Sequence, residues 1–179
     1  MTKCDPYQDK ILERERYEER AANHTETDDE KAVGVESVAL SLRTPYLSYA
    51  EKLKKYIKPQ SKVLEIGAGT GEFTDMLFHL TTYGFVVATD ISGSSLELLQ
   101  KRYNDVSNLQ TRVADMESLP FENELFDVVC SAGSLSYGDN IMVMNEIYRV
   151  IKRGGVFVCV DPLNHNPIYK LNRWIHYKR

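Results

Sequence analysis

The stretch VLEIGAGTGEF, residues 63–73, joins a hydrophobic run to three glycines at alternate positions. Residues 62–66 form a short, mostly apolar run that is typical of a buried strand in a parallel sheet. The glycines that follow permit a tight turn and a close approach of the backbone to a ligand. A turn of this kind, after a strand and before a helix, lies where open parallel sheets bind their ligands.

The spacing of the glycines, G-x-G-x-G, differs from two phosphate-binding motifs. The dinucleotide fingerprint is G-x-G-x-x-G, and a P-loop would continue with Gly-Lys-Ser/Thr, which does not follow here. Taken alone, the turn leaves three interpretations open. It binds a dinucleotide, it binds another adenosine ligand, or it is a tight turn that binds nothing.

Downstream of the turn, apolar runs alternate with helical patterns. Strands are predicted at 85–89, 109–114, 126–131 and 156–160, and helices at 71–81, from Ser92 or Gly93 onward, and at 140–152. This order predicts an α/β fold with a Rossmann-like, doubly wound, mainly parallel sheet, of which five strands are visible. The last helix is expected to be capped by Gly154 and Gly155. Its expected core-facing residues are Ile141, Met144, Ile147, Tyr148 and Ile151.

Three regions are predicted along the chain: an N-terminal helical lid or extension at 1–58, a core at 59–162, and a tail at 163–179 that reads as the start of a truncated helix. Within the first region we expect a helix at 6–22, a polar loop at 23–33, and two helices at 35–43 and 46–57, separated by Pro45. The predicted buried face of the second of these two helices consists of Leu47, Ala50, Leu53 and Ile57.

Composition limits the classes of function. The chain has 179 residues, a net charge of −4, and 27% charged residues, so it lacks the basic character typical of nucleic-acid binders. No apolar run reaches membrane-spanning length. The three cysteines fit neither a disulfide framework nor a zinc site, and we predict no metal site and a cytoplasmic location. Cys130 and Cys159 lie in apolar runs and are expected in the core.

Two acids follow the predicted second and third strands. Asp90, at the end of FVVATD, is placed to accept both hydroxyls of a ribose, which would suit a dinucleotide or another adenosine ligand. Asp115, in VADMESLPF, can accept from an adenine amino group, while Met116 packs against the ring. This second pair favours an adenosine ligand without a pyrophosphate.

Four segments in order, VLEIGAGTGEF, ATDIS, RVADMESLPFENELFDVVCSAGSL and NEIYRVIKRGGVFVCVD, resemble the class I S-adenosylmethionine-dependent methyltransferases, of the small-molecule type 11/25-like kind. The resemblance covers about residues 60–162 and implies S-adenosylmethionine as cofactor. It implies that the backbone of the glycine loop lies against the methionine part of the cofactor and that the acid before the loop supports it. It also implies that one acid binds the ribose, that another binds the adenine, and that a backbone carbonyl lies near the methionine amino group. The cofactor-binding residues implied are Glu65, Gly67, Ala68, Gly69, Gly71, Asp90, Ile91, Asp115, Met116 and Ser131.

The resemblance implies methyl transfer to an oxygen or nitrogen of a small molecule, such as a sugar or a secondary metabolite. The alternative is a non-catalytic S-adenosylmethionine-binding module that acts through a partner. His165 is the first candidate for a general base, because an imidazole titrates near neutral pH, and Tyr137 is the second. Both residues also have a purely local reading, as a loop histidine and as a tyrosine packed at a rim.

One departure from the family concerns the end of the chain. The family's sheet usually has seven strands, whereas only nineteen residues follow Val160. We therefore expect a fragment of a longer protein whose fifth strand is an exposed edge. That edge predicts a possible homodimer, against which a clean monomer in sedimentation at high concentration would count.

Overall fold

The computed structural model describes residues 6–23, 34–38 and 43–161, and at its centre lies a five-stranded parallel sheet with the strand order β3-β2-β1-β4-β5. The chain runs outward from β1 to β3, returns, and runs outward again on the other side. This reversal between β1 and β4 confirms the predicted doubly wound α/β fold. The strands are β1 (Lys62–Ile66), β2 (Phe85–Asp90), β3 (Leu109–Val113), β4 (Phe126–Ala132) and β5 (Ile151–Val160).

Helices precede the sheet and connect its strands. In the described residues they are α1 (Pro6–Ala22), α2 (Arg43–Tyr56), α3 (Thr74–Leu80), α4 (Gly93–Arg102) and α5 (Asn140–Val150), with short 3-10 turns at Gly34–Ser37 and Leu135–Tyr137. The predicted start of α4 is confirmed, because the Ser92 side chain accepts a hydrogen bond from the backbone N–H of Ser95. The predicted tail at 163–179 and most of the predicted loop at 23–33 lie outside the described residues.

The three central strands, β1, β2 and β4, are buried on both faces, which explains why they read as mostly apolar runs. Val63 on β1 packs into one core with Leu53 of α2 and Leu77 of α3. Its neighbour Leu64 points to the opposite face and packs with Ile147 of α5. Alternation along β1 therefore joins the two cores through the central strand.

The predicted break at Pro45 is wrong, because α2 is one continuous helix that begins at Arg43. Proline is tolerated in the first turn of a helix, where its missing N–H has no intrahelical acceptor to lose. The predicted buried position of Leu47 is also wrong, since that side chain is exposed. Instead Tyr46 stacks on Phe73 with ring centroids 5.4 Å apart, and Tyr49 meets the same ring edge-on at 5.8 Å.

The predicted core face of α5 is wrong for three of its five residues. The buried residues are Val143, Ile147 and Val150, whereas Ile141, Met144 and Tyr148 are exposed. Two hydrogen-bonded side chains fix the rotation of the helix. Glu146 accepts from the backbone N–H of Leu119 at 2.6 Å, and Arg149 donates to the carbonyls of Leu119 and Phe121.

The predicted cap at Gly154 and Gly155 is wrong as well. Helix α5 ends at Val150 and the chain enters β5 directly. The glycines lie in a bulge of β5, because Phe126 pairs with Ile151 but Val128 pairs with Val156.

Strand β5 is at the edge of the described sheet. Cys130, on the interior strand β4, is buried as predicted, but Cys159 on β5 is exposed, so its prediction as a core residue is wrong. Pairing of this edge with a second copy stays a prediction. In the part of the chain that the structure describes, no helix is long and apolar enough to cross a membrane.

The Glu65 carboxyl group of β1 lies inside the core, with 2% of the residue exposed. The Thr74 hydroxyl donates a hydrogen bond to it at 2.6 Å. The pKa of Glu65 is raised to about 8, mainly by burial; the Thr74 hydrogen bond lowers it, and the charges of Glu72 and Asp90 contribute to the rise. The acid is therefore mainly protonated at neutral pH in this structure.

The two apolar flanks of α5 predict different costs for the same substitution. Ile147→Ala removes a buried side chain and should lower the free energy of unfolding by about 2–5 kcal/mol. Ile141→Ala, in the same helix but 75% exposed, should change it by no more than about 0.5 kcal/mol. Urea unfolding of both variants checks this, and equal costs would contradict the observed rotation of the helix.

The buried acid predicts a pH-dependent effect of Glu65→Gln. Between the ordinary glutamate pKa of 4.5 and about 8, the folded chain keeps a proton that the unfolded chain releases. Wild-type stability should therefore fall by about 1.4 kcal/mol per pH unit in that window because of Glu65, and level off above it. The variant should gain stability over wild type as pH rises from about 5 to 8, with no gain below about 4.5.

Unfolding midpoints across this pH range, with Glu51→Gln on the exposed side of α2 as the matched control, measure the effect. Parallel stability curves for Glu65→Gln and wild type would show that Glu65 is already ionised in the folded chain.

Candidate functional site

A cavity of about 90 Å³ lies at the carboxyl ends of β1, β2 and β4, where the order of the strands reverses. Open α/β sheets bind ligands at this point, because the loops diverge there and leave a crevice. The wall of the cavity combines the glycine loop, the ends of β2 and β3, the segment after β4, and two residues of α1. Its lining residues are Lys10, Tyr17, Ile66, Gly67, Gly69, Thr89, Asp90, Ile91, Ala114, Asp115, Met116, Ala132, Gly133, Ser134 and Tyr137.

The glycine loop reaches the cavity with two of its four predicted residues. Gly67 and Gly69 line the wall. Gly67 has a φ of +69°, and a Cβ there would collide with Ser134. Ala68 is buried instead, with its N–H donating to the carbonyl of Thr89 at 2.9 Å. Gly71 lies behind the wall, where a Cβ would stand 2.9 Å from Tyr103 and 3.0 Å from Leu99.

Asp90, at the end of β2, is held at the cavity by two hydrogen bonds from the backbone. One carboxylate oxygen accepts from the N–H of Gly69 and the other from the N–H of Ser92, each at 2.9 Å. Burial raises the pKa of Asp90 above its usual value, although these backbone bonds oppose the shift. Asp90 therefore both ties the glycine loop to β2 and presents a carboxylate to the cavity, with Ile91 beside it.

Asp115 and Met116 also line the cavity, on the side of β3. The Asp115 carboxylate accepts from the N–H of Glu117 at 2.9 Å and from the Lys10 ammonium at 2.8 and 3.0 Å. Burial disfavours the charge on Lys10, but the bonds to Asp115 and Glu117 outweigh it and raise the pKa of the ammonium.

Lys10 and Tyr17, both from α1, are cavity residues that sequence reasoning did not find. They are seven residues apart, so they lie on one face of the helix. Nothing local in the sequence indicates their partners, because Asp115 lies 105 residues from Lys10.

Ser131 is fully buried and does not line the cavity. Its hydroxyl pairs with that of Ser134 at 2.7 Å, and Ser134 donates to the carbonyl of Ile66. The wall is formed by the next three residues, Ala132 to Ser134. Glu65 is likewise below the wall, bonded to Thr74 at the start of α3.

Of the two predicted bases, Tyr137 lines the cavity and His165 lies outside the described residues. Tyr137 ends the 3-10 turn after β4. Asp161, beyond the end of β5, fixes this turn by accepting from the N–H of Leu135 at 2.8 Å. The tyrosine is thus positioned by two neighbouring strands.

The chemistry of the wall fits an adenosine ligand that carries positive charge and no phosphate. Two carboxylates, Asp90 and Asp115, face the cavity beside the apolar side chains of Ile91 and Met116. The described lining contains one cation, Lys10, which is already paired with two acids. Over residues 6–23, 34–38 and 43–161, no group of three or more His, Cys, Asp or Glu side chains is arranged to hold a metal ion.

Comparison with known proteins agrees with this chemistry. Residues 64–159, more than half of the chain, match the profile of a methyltransferase domain family. The demethylmenaquinone methyltransferase of Staphylococcus saprophyticus is 30% identical over 125 residues, which are 68% of this chain and 54% of that protein. The sarcosine/dimethylglycine N-methyltransferase of Aphanothece halophytica is 35% identical over 112 residues, or 58% of this chain and 38% of that one.

Among solved structures, the phosphoethanolamine N-methyltransferase 1 of Haemonchus contortus, in complex with phosphoethanolamine and S-adenosylhomocysteine, shares the fold. The TM-score is 0.68 at 17% identity, over 90% of this chain and 34% of that one. The matched part of the chain covers about half the length of the demethylmenaquinone methyltransferase. It covers less than two fifths of each of the other two proteins. The match to the family profile, together with the fold, confirms that the chain belongs to the class I S-adenosylmethionine-dependent methyltransferases.

Proposed function

We propose that this chain transfers a methyl group from S-adenosylmethionine to a small organic molecule. The observation that carries the proposal is the single cavity wall in which the glycine-loop backbone, Asp90 and Asp115 meet. When bound, the cofactor would supply an electrophilic methyl group on a sulfonium. The chain would then need to hold an acceptor in line with that group, because close and aligned positioning can supply much of the rate in such a displacement.

The proposed roles of the wall residues follow from their positions. Asp90 would accept the ribose hydroxyls, because its carboxylate is already oriented by Gly69 and Ser92. Asp115 and Met116 would bind the edge and the face of the adenine. Gly67 and Gly69 would lie against the methionine part, and Glu65 would support the loop from below through Thr74.

For the acceptor, tyrosines at the cavity favour a flat ring. Tyr17 and Tyr137 line the wall, and a Cβ placed on Gly133 in the same wall would stand 3.5 Å from the hydroxyl of Tyr46. Aromatic side chains bind rings by stacking or edge contacts. A relative named demethylmenaquinone methyltransferase agrees with an acceptor of the quinone type. We therefore propose a hydroxylated aromatic ring as the first acceptor class.

A second acceptor class is an oxygen or nitrogen of a sugar or a secondary metabolite, which the family resemblance implies. The relative named sarcosine/dimethylglycine N-methyltransferase favours an amine within this class. Faces of tyrosine rings also attract cationic amines. In either class Tyr137 or His165 would accept a proton from the acceptor where the reaction releases one.

The remaining expectations stay predictions. They are a cytoplasmic location, no nucleic-acid partner, and a homodimer through the exposed edge of β5. A non-catalytic S-adenosylmethionine-binding module also remains the alternative to an enzyme, and the acceptor assay below separates the two.

The ribose role of Asp90 predicts a large loss of cofactor affinity in Asp90→Ala. Two hydrogen bonds to a charged acceptor, each worth about 1.5–3 kcal/mol, would be lost, so affinity for S-adenosylhomocysteine should fall by roughly a hundredfold or more. Calorimetry measures the change, with Asp105→Ala, an exposed acid after α4, as the matched charge control. Equal affinity in Asp90→Ala and wild type would refute the role.

The acceptor proposal predicts which class of molecule gains a methyl group. The full chain is incubated with S-adenosylmethionine and, separately, a reduced demethylated quinone, sarcosine, and a hydroxylated sugar, and products are identified by mass spectrometry. We expect S-adenosylhomocysteine and a methylated ring from the quinone arm. Turnover with the amine or sugar alone would assign the second class, and cofactor binding without turnover in any arm would favour the binding module.

A further inference from the structure

Helix α1 crosses the cavity from outside the part of the chain that matches the family profile, which begins at residue 64. Its Lys10 side chain is only 12% exposed and ends at the side of the cavity formed by Asp115. Seven residues later Tyr17 lines the same cavity. The neighbouring Glu18 accepts a hydrogen bond from the Ser94 hydroxyl in α4. Helix α1 is thus attached at both ends of its path over the cavity.

The attachment at Lys10 is the more extensive of the two. Its ammonium donates to both oxygens of Asp115, at 2.8 and 3.0 Å, and lies 2.6 Å from a carboxylate oxygen of Glu117. An ammonium has three donor hydrogens, so these three contacts use its capacity. Asp115 and Glu117 are 39% and 17% exposed, and without Lys10 the two acids would face each other with like charge.

These contacts nearly saturate the acid that the proposed function assigns to adenine. Oδ1 of Asp115 accepts from Lys10 and from the N–H of Glu117, and Oδ2 accepts from Lys10. Since each carboxylate oxygen accepts about two hydrogen bonds, the described contacts leave one position on Oδ2. An adenine amino group must therefore share Oδ2 with Lys10 or replace it.

The space in the cavity favours replacement. Its volume is about 90 Å³, whereas cavities that hold ligands of this size begin near roughly 300 Å³. Two of the lining side chains, Lys10 and Tyr17, come from α1. Displacement of α1 would enlarge the cavity and free Asp115 in the same movement.

We propose that Lys10 is a latch: its ion pairs with Asp115 and Glu117 hold α1 across the cavity, and S-adenosylmethionine enters when they open. The adenine amino group then replaces the ammonium at Asp115. The second half of this proposal rests on the proposed function, because it takes Asp115 as the adenine acid. The first half concerns only residues of the chain and is testable without a ligand.

The test compares Lys10→Met with Lys52→Met, which removes the same charge from an exposed position on α2. In the unliganded full chain, hydrogen exchange of the α1 amides should be roughly tenfold faster in Lys10→Met only. Association of S-adenosylhomocysteine, followed by surface plasmon resonance, should accelerate by a similar factor, since the competent open state is more populated. Glu117→Gln removes one of the two pairs and should give a smaller acceleration of both.

Unchanged α1 exchange in Lys10→Met would overturn the latch. Faster exchange with an unchanged or slower association rate would overturn the claim that the latch controls entry. If no variant and not even wild type binds S-adenosylhomocysteine, the proposed function fails on its own, while the exchange measurement still decides whether Lys10 holds α1.

Discussion

Close packing of backbone at the end of β1 determines where everything else in the site can lie. Gly67 has no room for a side chain beside Ser134, so the loop after β1 rests directly on the segment after β4. On its other side the loop is tied to β2, because Gly69 donates to Asp90 and Ala68 donates to Thr89. The loop therefore joins the ends of three adjacent strands. Any larger residue at Gly67 would separate the loop from β4 and change the positions of Asp90 and Ser134 together.

The helix that follows this loop supplies a hydrogen-bond partner to the acid at position 65 inside the core. The neighbours of this acid on β1 are fully buried aliphatic residues, and its hydroxyl partner Thr74 begins that helix. Burial raises the pKa of Glu65 to about 8, so the chain holds a mostly neutral acid below a site suited to a cation. A nearby positive charge favours the ionised form of a carboxyl group. Burial of Glu65 lowers the stability of the folded chain as the pH rises, because it disfavours the ionised form. A cationic ligand in the cavity would favour ionisation of the same group.

The sheet can be predicted well from the sequence, because each strand is marked by a local pattern of residues. The run at Lys62–Ile66 ends in glycines, and it was predicted with the observed limits. Helix α5 shows where such reasoning fails, since its apolar residues occupy two flanks and periodicity alone cannot say which one is buried. The choice is made by Glu146 and Arg149, which bind the backbone near Leu119. In the site, the acids at strand ends were found from their spacing, whereas Lys10 depends on a contact across 105 residues that no local pattern records.

The proposed function assigns the donor and acceptor sides of the cavity to different parts of the chain. Nine of the fifteen lining residues fall between Ile66 and Met116, inside the segment that matches the methyltransferase family profile. Two relatives are named for unlike substrates, demethylmenaquinone and sarcosine or dimethylglycine. A shared donor half with different acceptors is expected when the acceptor is contacted by elements outside it. Here α1 and the turn at Leu135–Tyr137 are such elements, because each contributes a tyrosine, Tyr17 and Tyr137, to the lining of the cavity. Under the proposed function, these two elements would therefore select the acceptor, whereas the glycine loop, Asp90 and Asp115 would bind the donor.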